Sequence, residues 1–171
     1  MSLLSIQNLT LSIHSFDILH DVSFNIDAGE IVAIVGESGS GKSMTALAAM
    51  QLLPQGAQTT GRVMLGDDDL TQRSEAELCA MRGNDIGMVF QEPMTALNPV
   101  KTIGDQVAET ILIHEKTTKA EAHKRAADTL TRVGLPQPRF PLSRFPHELS
   151  GGQRQRVVIA MAITLRPRLL I

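Results

Sequence analysis

The chain has 171 residues, enough for one well-buried domain or a compact core with a small satellite, and 43% hydrophobic and 20% charged residues exclude a disordered chain. A net charge of −2 and five Phe with no Trp or Tyr supply neither the overall basic field nor the usual stacking platforms of a nucleic-acid binder, so none is expected as a partner. A single cysteine, Cys79, excludes an internal disulfide and fits a reducing cytoplasm, where it serves as small apolar filler or a reactive thiol.

In chain order, "LSIQNLTLSI" at 4–13 alternates loosely and "DVSFNI" at 21–26 alternates strictly, so both read as strands. "IVAIV" at 31–35 is a continuous apolar run expected to form a strand covered on both faces. The glycine-rich "GESGSGKS" follows, then a helix, "KSMTALAAMQLL", ended by Pro54. "GRVMLGDDDL" predicts a short strand and turn, with Asp67, Asp68 and Asp69 as a solvated turn rather than a metal loop, because they lack alternating ligand spacing. "SEAELCAMR" predicts a helix capped by Ser74 and Glu77, and "DIGMVF" at 85–90 a second buried strand ending at Gln91. From Thr102 to Val133 the chain is helical, the second helix opening on Thr118 and Glu121 and stopping at Gly134. In that helix Ala122, Ala126, Leu130 and Val133 share the apolar face, while Lys119, Lys124, Arg125 and Arg132 stay solvated and His123 lies among them. A proline-rich stretch leads to "ELSGGQRQR", a helix running to about Arg166, and "RLLI" begins another strand. The longest apolar run, 157–163, is too short to cross a bilayer, so any membrane role is expected to be peripheral.

"GESGSGKS" fits GxxxxGKS/T at Gly36, Gly41, Lys42 and Ser43, in the expected setting between strand and helix. Its glycines let successive N–H groups point inward at an anion, and the helix start adds partial positive charge. The expected ATP-binding residues are Gly36, Glu37, Ser38, Gly39, Ser40, Gly41, Lys42, Ser43 and Met44. Lys42 would reach the β- and γ-phosphates and Ser43 would hold Mg²⁺. "LSGGQ" at 149–153 is a second glycine-rich helix start. Ser150 and Gln153 stand as N-cap and N3, which fits either a well-capped helix or a second anion site.

These motifs in this order resemble the ABC ATPase family over the whole chain. The resemblance implies an α/β P-loop NTPase (RecA-like) core with an N-terminal antiparallel β portion and an inserted α-helical subdomain. It divides the chain into 1–91, 92–149 and 150–171, with "RPRLLI" at 166–171 as the lead-in to a Walker B strand whose Mg²⁺-associated Asp and catalytic Glu are expected to be absent from this chain; the sequence resembles the first two-thirds of a nucleotide-binding domain. It further implies a second nucleotide-binding domain as partner, in a head-to-tail homo- or heterodimer in which Leu149, Ser150, Gly151, Gly152 and Gln153 serve the partner's ATP. Gln91 matches the Q-loop glutamine that faces Mg²⁺ and the attacking water, which makes it a catalytic candidate with Lys42. "FQEPMTALNP" and "FPHELSGGQRQR" are similar to the peptide/nickel importer branch. That branch implies integral membrane permease subunits as partners, work at the cytoplasmic face of the inner membrane, and uptake of peptides or related small solutes. The alternatives are a soluble ABC-family ATPase without a transporter and a catalytically inactive nucleotide-binding fragment. The family stacks adenine on an aromatic near the first hairpin, where His14 and Phe16 are the nearest candidates.

Overall fold

A computed structural model of the chain describes residues 2–90 and 96–171. Gln91, with the neighbouring residues through Thr95, lies outside the described residues. By internal contacts the chain forms two compact units, Met1–Cys79 and Ala80–Ile171.

Unit 1 is built on an antiparallel sheet. Strands β1 (Ser2–Ile13) and β2 (Phe16–Asp27) form a hairpin, and β3 (Ala57–Leu65) and β4 (Asp68–Asp69) complete the order β2-β1-β3-β4. The loose alternation of β1 has a structural cause. Leu4 and Ile6 are buried, then the register shifts, and Leu9 and Leu11 are buried on the opposite sequence parity. A bulge at Asn8, whose φ is 49°, resets the parity so that both pairs face one core with Val63 and Leu65. Asn8 is held there by its backbone N–H to the Ser23 hydroxyl (2.8 Å) and by its side-chain amide to Asp21 (2.7 Å). Across from the bulge sits Gly61 at φ 92°, where an added Cβ would lie 2.4 Å from the Asn8 carbonyl oxygen. Only glycine fits there.

Helix α1 (Lys42–Ala49) is shorter than its apolar pattern predicts, because the chain leaves the helix at Met50 and Gln51 takes φ 53°. The expected strand at 31–35 is not one. Ile31 and Val35 are 97% and 87% exposed, and Val32 and Ile34 40% and 47%. No described strand pairs with this segment, so neither face is covered and no ladder satisfies its backbone. After β4, Asp69 caps a 3₁₀ turn, Leu70–Gln72. Helix α2 (Glu75–Met81) starts as expected: Ser74 donates to the Glu77 carboxylate through both backbone N–H (2.8 Å) and hydroxyl (2.7 Å). Those bonds and Arg73 hold the Glu77 carboxyl down at about 2.

In unit 2 the second expected strand is a short one, β5 (Ile86–Gly87), paired in parallel with β6 (Leu169–Leu170). The ladder continues through Val89 N–H to the Ile171 carbonyl at 2.8 Å. Helices α3 (Ile103–His114), α4 (Lys119–Arg132) and α5 (Gly151–Ile163) pack around a core that includes Ile103, Val107, Ile111, Ala126, Leu130 and Val157. Helix α5 ends three residues before the expected Arg166, and Arg166 itself takes φ 57°. Thr118 caps α4 through the Glu121 N–H, as its sequence predicts. Two residues of the expected solvated face are tied down instead. Arg125 forms an ion pair with Glu115, and half-buried His123 bonds Asp105 on α3 at 3.1 Å. Asp105 also accepts from the Thr102 hydroxyl at 2.6 Å, which chiefly keeps its carboxyl below the usual range.

Gly61→Ala is expected to lower the stability of unit 1 by about 1–3 kcal/mol, since a Cβ there meets backbone oxygen at a left-handed φ. Denaturant unfolding of the variant checks this, and an unchanged midpoint contradicts the bulge-matching role.

Candidate functional site

The candidate phosphate cradle is the stretch of unit 1 between Gly36 and Met44. Residues 36–40 are exposed, and a turn closed by Ser40 N–H to the Glu37 carbonyl (3.2 Å) folds the loop back. Gly39 at φ 81° and Gly41 at φ 88° take left-handed conformations. Gly41 is held against the hairpin: an added Cβ would meet Leu19 Cδ2 at 2.6 Å and the Ile18 carbonyl oxygen at 3.2 Å. The start of α1 is thereby seated on β2. Ile18, Gly39, Ser40, Gly41, Lys42, Ser43 and Met44 line a small cleft of about 160 Å³ at this place.

Two features suit this cleft to an anion. Gly41 is the N-cap of α1, and no side chain caps that end. The first-turn N–H groups therefore lack a side-chain acceptor, and the helix start carries partial positive charge. The Lys42 ammonium is curled onto the same loop, donating to the Gly36 carbonyl (2.9 Å), the Glu37 carbonyl (2.7 Å) and more weakly the Ser40 hydroxyl (3.4 Å). Its three donors face neutral oxygens, so its charge is not cancelled. Phosphate oxygens offer stronger, charge-assisted acceptors to the same ammonium. Exposed Ser43 follows in the first turn, where its hydroxyl can serve a cation beside a bound phosphate.

The second glycine-rich start differs. Ser150 caps α5 by accepting from Gln153 N–H (3.4 Å), and Gln153 Oε1 accepts from Ser150 N–H (2.9 Å). Leu149 is buried in the unit 2 core and fixes the preceding turn, whereas Ser150, Gly151 and Gly152 are exposed. Arg154, which the sequence reading leaves without a role, donates through Nε to the carbonyls of Pro146 (2.7 Å) and Leu149 (3.1 Å) and locks that turn to the helix. Its only sequence signal was its place inside the motif. Gly152 has no φ requirement, and a Cβ there would meet nothing within 4 Å. Glycine in a helix costs roughly 0.5–1 kcal/mol against alanine. Among the described residues nothing packs against Gly152 that would require the missing side chain.

Of the adenine-stacking candidates, His14 lies in the β1–β2 turn at φ 47° with its ring against Gly56, and Phe16 is 75% exposed. Among the described residues no group of three or more His, Cys, Asp or Glu side chains could hold a metal, and no helix is long and apolar enough to cross a membrane.

A family model described as "ABC transporter" matches residues 19–171. The chain is similar to the oligopeptide transport ATP-binding protein OppD of Bacillus subtilis, 46% identical over 99% of this chain and 49% of that protein. It is 46% identical to the dipeptide transport ATP-binding protein DppD of the same organism, over 98% of this chain and 52% of that one. It is 48% identical to the peptidoglycan transport ATP-binding protein YejF of Agrobacterium fabrum, over 99% and 32%. The chain thus spans about half or less of the length of these relatives. Its fold is similar to a dimeric, post-hydrolysis structure of the ATP-binding cassette MJ0796 bound to ADP and Pi. The TM-score is 0.82 at 31% identity, covering 98% of this chain and 72% of that one.

Lys42→Ala removes the one ammonium from the cradle. Because a hydrogen bond to a charged group is worth about 1.5–3 kcal/mol, nucleotide affinity is expected to fall at least about tenfold with the melting temperature kept. Calorimetric titration with ATP checks this, and unchanged affinity in a folded variant contradicts the cradle.

Proposed function

The chain belongs to the ABC transporter family, with the α/β P-loop fold of its ATPase cassettes, and on that basis we propose that it binds and hydrolyses ATP as part of an importer's ATP-binding subunit. The observation that supports this best is the contrast between its two glycine-rich helix starts. The start of α1 is uncapped, seated on β2 and carries Lys42; it holds the chain's own ATP through Gly36 to Met44. The start of α5 is capped from within by Ser150 and Gln153, while Gly151 and Gly152 stay exposed. We assign it to the γ-phosphate of ATP held by a second nucleotide-binding domain, packed head to tail.

Phosphoryl transfer to water requires positioned charge rather than covalent chemistry by the protein. Lys42 supplies charge at the β- and γ-phosphates, and the partner's signature closes the site over the terminal phosphate and keeps water other than the attacking one out. Ser43 would hold Mg²⁺ with Gln91. Ser43 is exposed in the first turn of α1, next to Lys42, and a single hydroxyl there fits a cation that takes most of its oxygens from phosphates and water. When bound, Mg²⁺ would neutralise phosphate charge. Gln91 would orient the attacking water, its neutral amide able both to accept and to donate.

The transported material is proposed to be peptides or related small solutes, in line with the relatives named for oligopeptide and dipeptide transport. Integral membrane permease subunits would carry it, with this chain docked peripherally on the cytoplasmic face of the inner membrane. In the full-length protein, Ser150→Arg is expected to leave the monomer's ATP affinity unchanged and to abolish ATP-driven dimerisation, because the bulk falls at an exposed helix start meant for the partner's phosphate. Light scattering with and without ATP measures it, and normal dimerisation of the variant would falsify the trans assignment.

A further inference from the structure

The chain enters α5 through a 3₁₀ turn, Pro146–Glu148, that is closed by its own bonds: Leu149 N–H to the Pro146 carbonyl (3.1 Å) and Phe145 N–H to the Glu148 carboxylate (2.6 Å). The segment before the turn is bonded to the start of α3, with Ile103 N–H on the Arg144 carbonyl at 2.8 Å and Gly104 N–H on the Leu142 carbonyl at 2.9 Å. Neither set of bonds reaches α5. Among the described residues, the side-chain hydrogen bonds that run from α5 to this turn are those of Arg154, to the carbonyls of Pro146 (2.7 Å) and Leu149 (3.1 Å). Both are made by Nε, the nitrogen inside the side chain, and not by the terminal fork with which arginine grips carboxylates and phosphates. The Leu149 carbonyl stands one residue before the Ser150 N-cap, outside the helix's own ladder, and half-buried Arg154 supplies its donor.

Resting on the reading that the α5 start meets a partner's nucleotide, we propose that Arg154 is a positioning residue for that encounter and acts through its Nε bonds rather than through its charge. Buried Pro146 and Leu149 fix the turn, and buried Val157 and Val158 fix the helix. Between the two the backbone bends at Ser150, whose φ of −67° and ψ of 164° are extended rather than helical. The direction in which exposed Gly151 and Gly152 present their N–H groups follows from that bend, and Arg154 spans it. Removing the Nε donor leaves the Leu149 carbonyl without its partner and frees the bend, while the core of unit 2 keeps its contacts. Side-chain chemistry separates the two ways in which an arginine can act here. The amide nitrogen of glutamine stands as many bonds from Cα as the arginine Nε does, and it offers two N–H groups to the two carbonyls without a charge. Lysine keeps the charge but places a methylene at that position, and methionine places a carbon there with neither donor nor charge.

The test uses the full-length protein with Arg154→Gln, Arg154→Lys and Arg154→Met. Light scattering measures dimerisation driven by a non-hydrolysable ATP analogue, and calorimetric titration measures the monomer's affinity for the same analogue. The glutamine variant is expected to dimerise within about twofold of the parent, because its two N–H groups restore both bonds. The lysine and methionine variants are expected to raise the dimer dissociation constant about tenfold, the scale of one lost hydrogen bond with a carbonyl left unsatisfied. All three are expected to keep the monomer's nucleotide affinity, which a general loss of fold would not spare. Should the methionine variant fail to fold, the comparison of glutamine with lysine decides alone. A lysine variant that dimerises like the parent beside a weakened glutamine variant places the effect in the charge and overturns the proposal. Three variants all like the parent, or all weakened alike, overturn it as well. A parent protein that does not dimerise on the analogue overturns the reading of the α5 start itself, and the proposal with it.

Discussion

The close approach of Gly41 to β2 is the contact on which the rest of the cradle depends. With no room for a Cβ between residue 41, Leu19 and the Ile18 carbonyl, that position must be glycine at a left-handed φ. That conformation turns the chain into α1 at the point where the loop has doubled back. It also leaves the helix start without a capping side chain, because glycine has none to offer. One steric constraint thus sets both the position of the candidate anion site and its open donors. Lys42, the next residue, is carried to where its ammonium spans the loop carbonyls.

The α5 start solves the same backbone problem in the opposite way. Its donors are partly satisfied by Ser150 and Gln153, and Arg154 and buried Leu149 pin the turn that precedes it. A start fixed this firmly before any ligand arrives loses little entropy when it meets one. At the start of α1 the Lys42 ammonium is bonded to its own loop, whereas at the start of α5 Ser150, Gly151 and Gly152 are exposed behind a turn pinned by Arg154. That difference suits a residue pair in which one helix holds the nucleotide and the other closes over it.

Local signals in the sequence carried much of this. Ser74 with Glu77, Thr118 with Glu121 and Ser150 with Gln153 were readable because a cap depends on residues three apart. The apolar stripe of α4 was readable for the same reason of short range, and the loop at 36–43 because its glycine spacing is specific. What could not be read depends on distant partners. The run 31–35 has strand composition, yet no described strand pairs with it and its side chains are exposed. His123 has a polar helix context, yet its bond to Asp105 comes from α3, 18 residues away. The parity change in β1 needed the structure, because only there do Asn8 and Gly61 face each other. Buried Gln106 gave no sequence signal either, although its amide bonds both the N–H and the carbonyl of Asn98.

The central claim is that the cradle and the signature act between chains. Retention of ATP by mixed pairs tests it most directly, using full-length Lys42→Ala protein combined with full-length Gly152→Asp protein. Acting between chains, the two defects fall on one site of the mixed pair and leave the other with an intact cradle and an intact signature. The account predicts that the mixture occludes about one ATP per pair while neither variant alone occludes any. A mixture that occludes none, beside a parent protein that does, would show that each signature serves its own chain and would contradict the account.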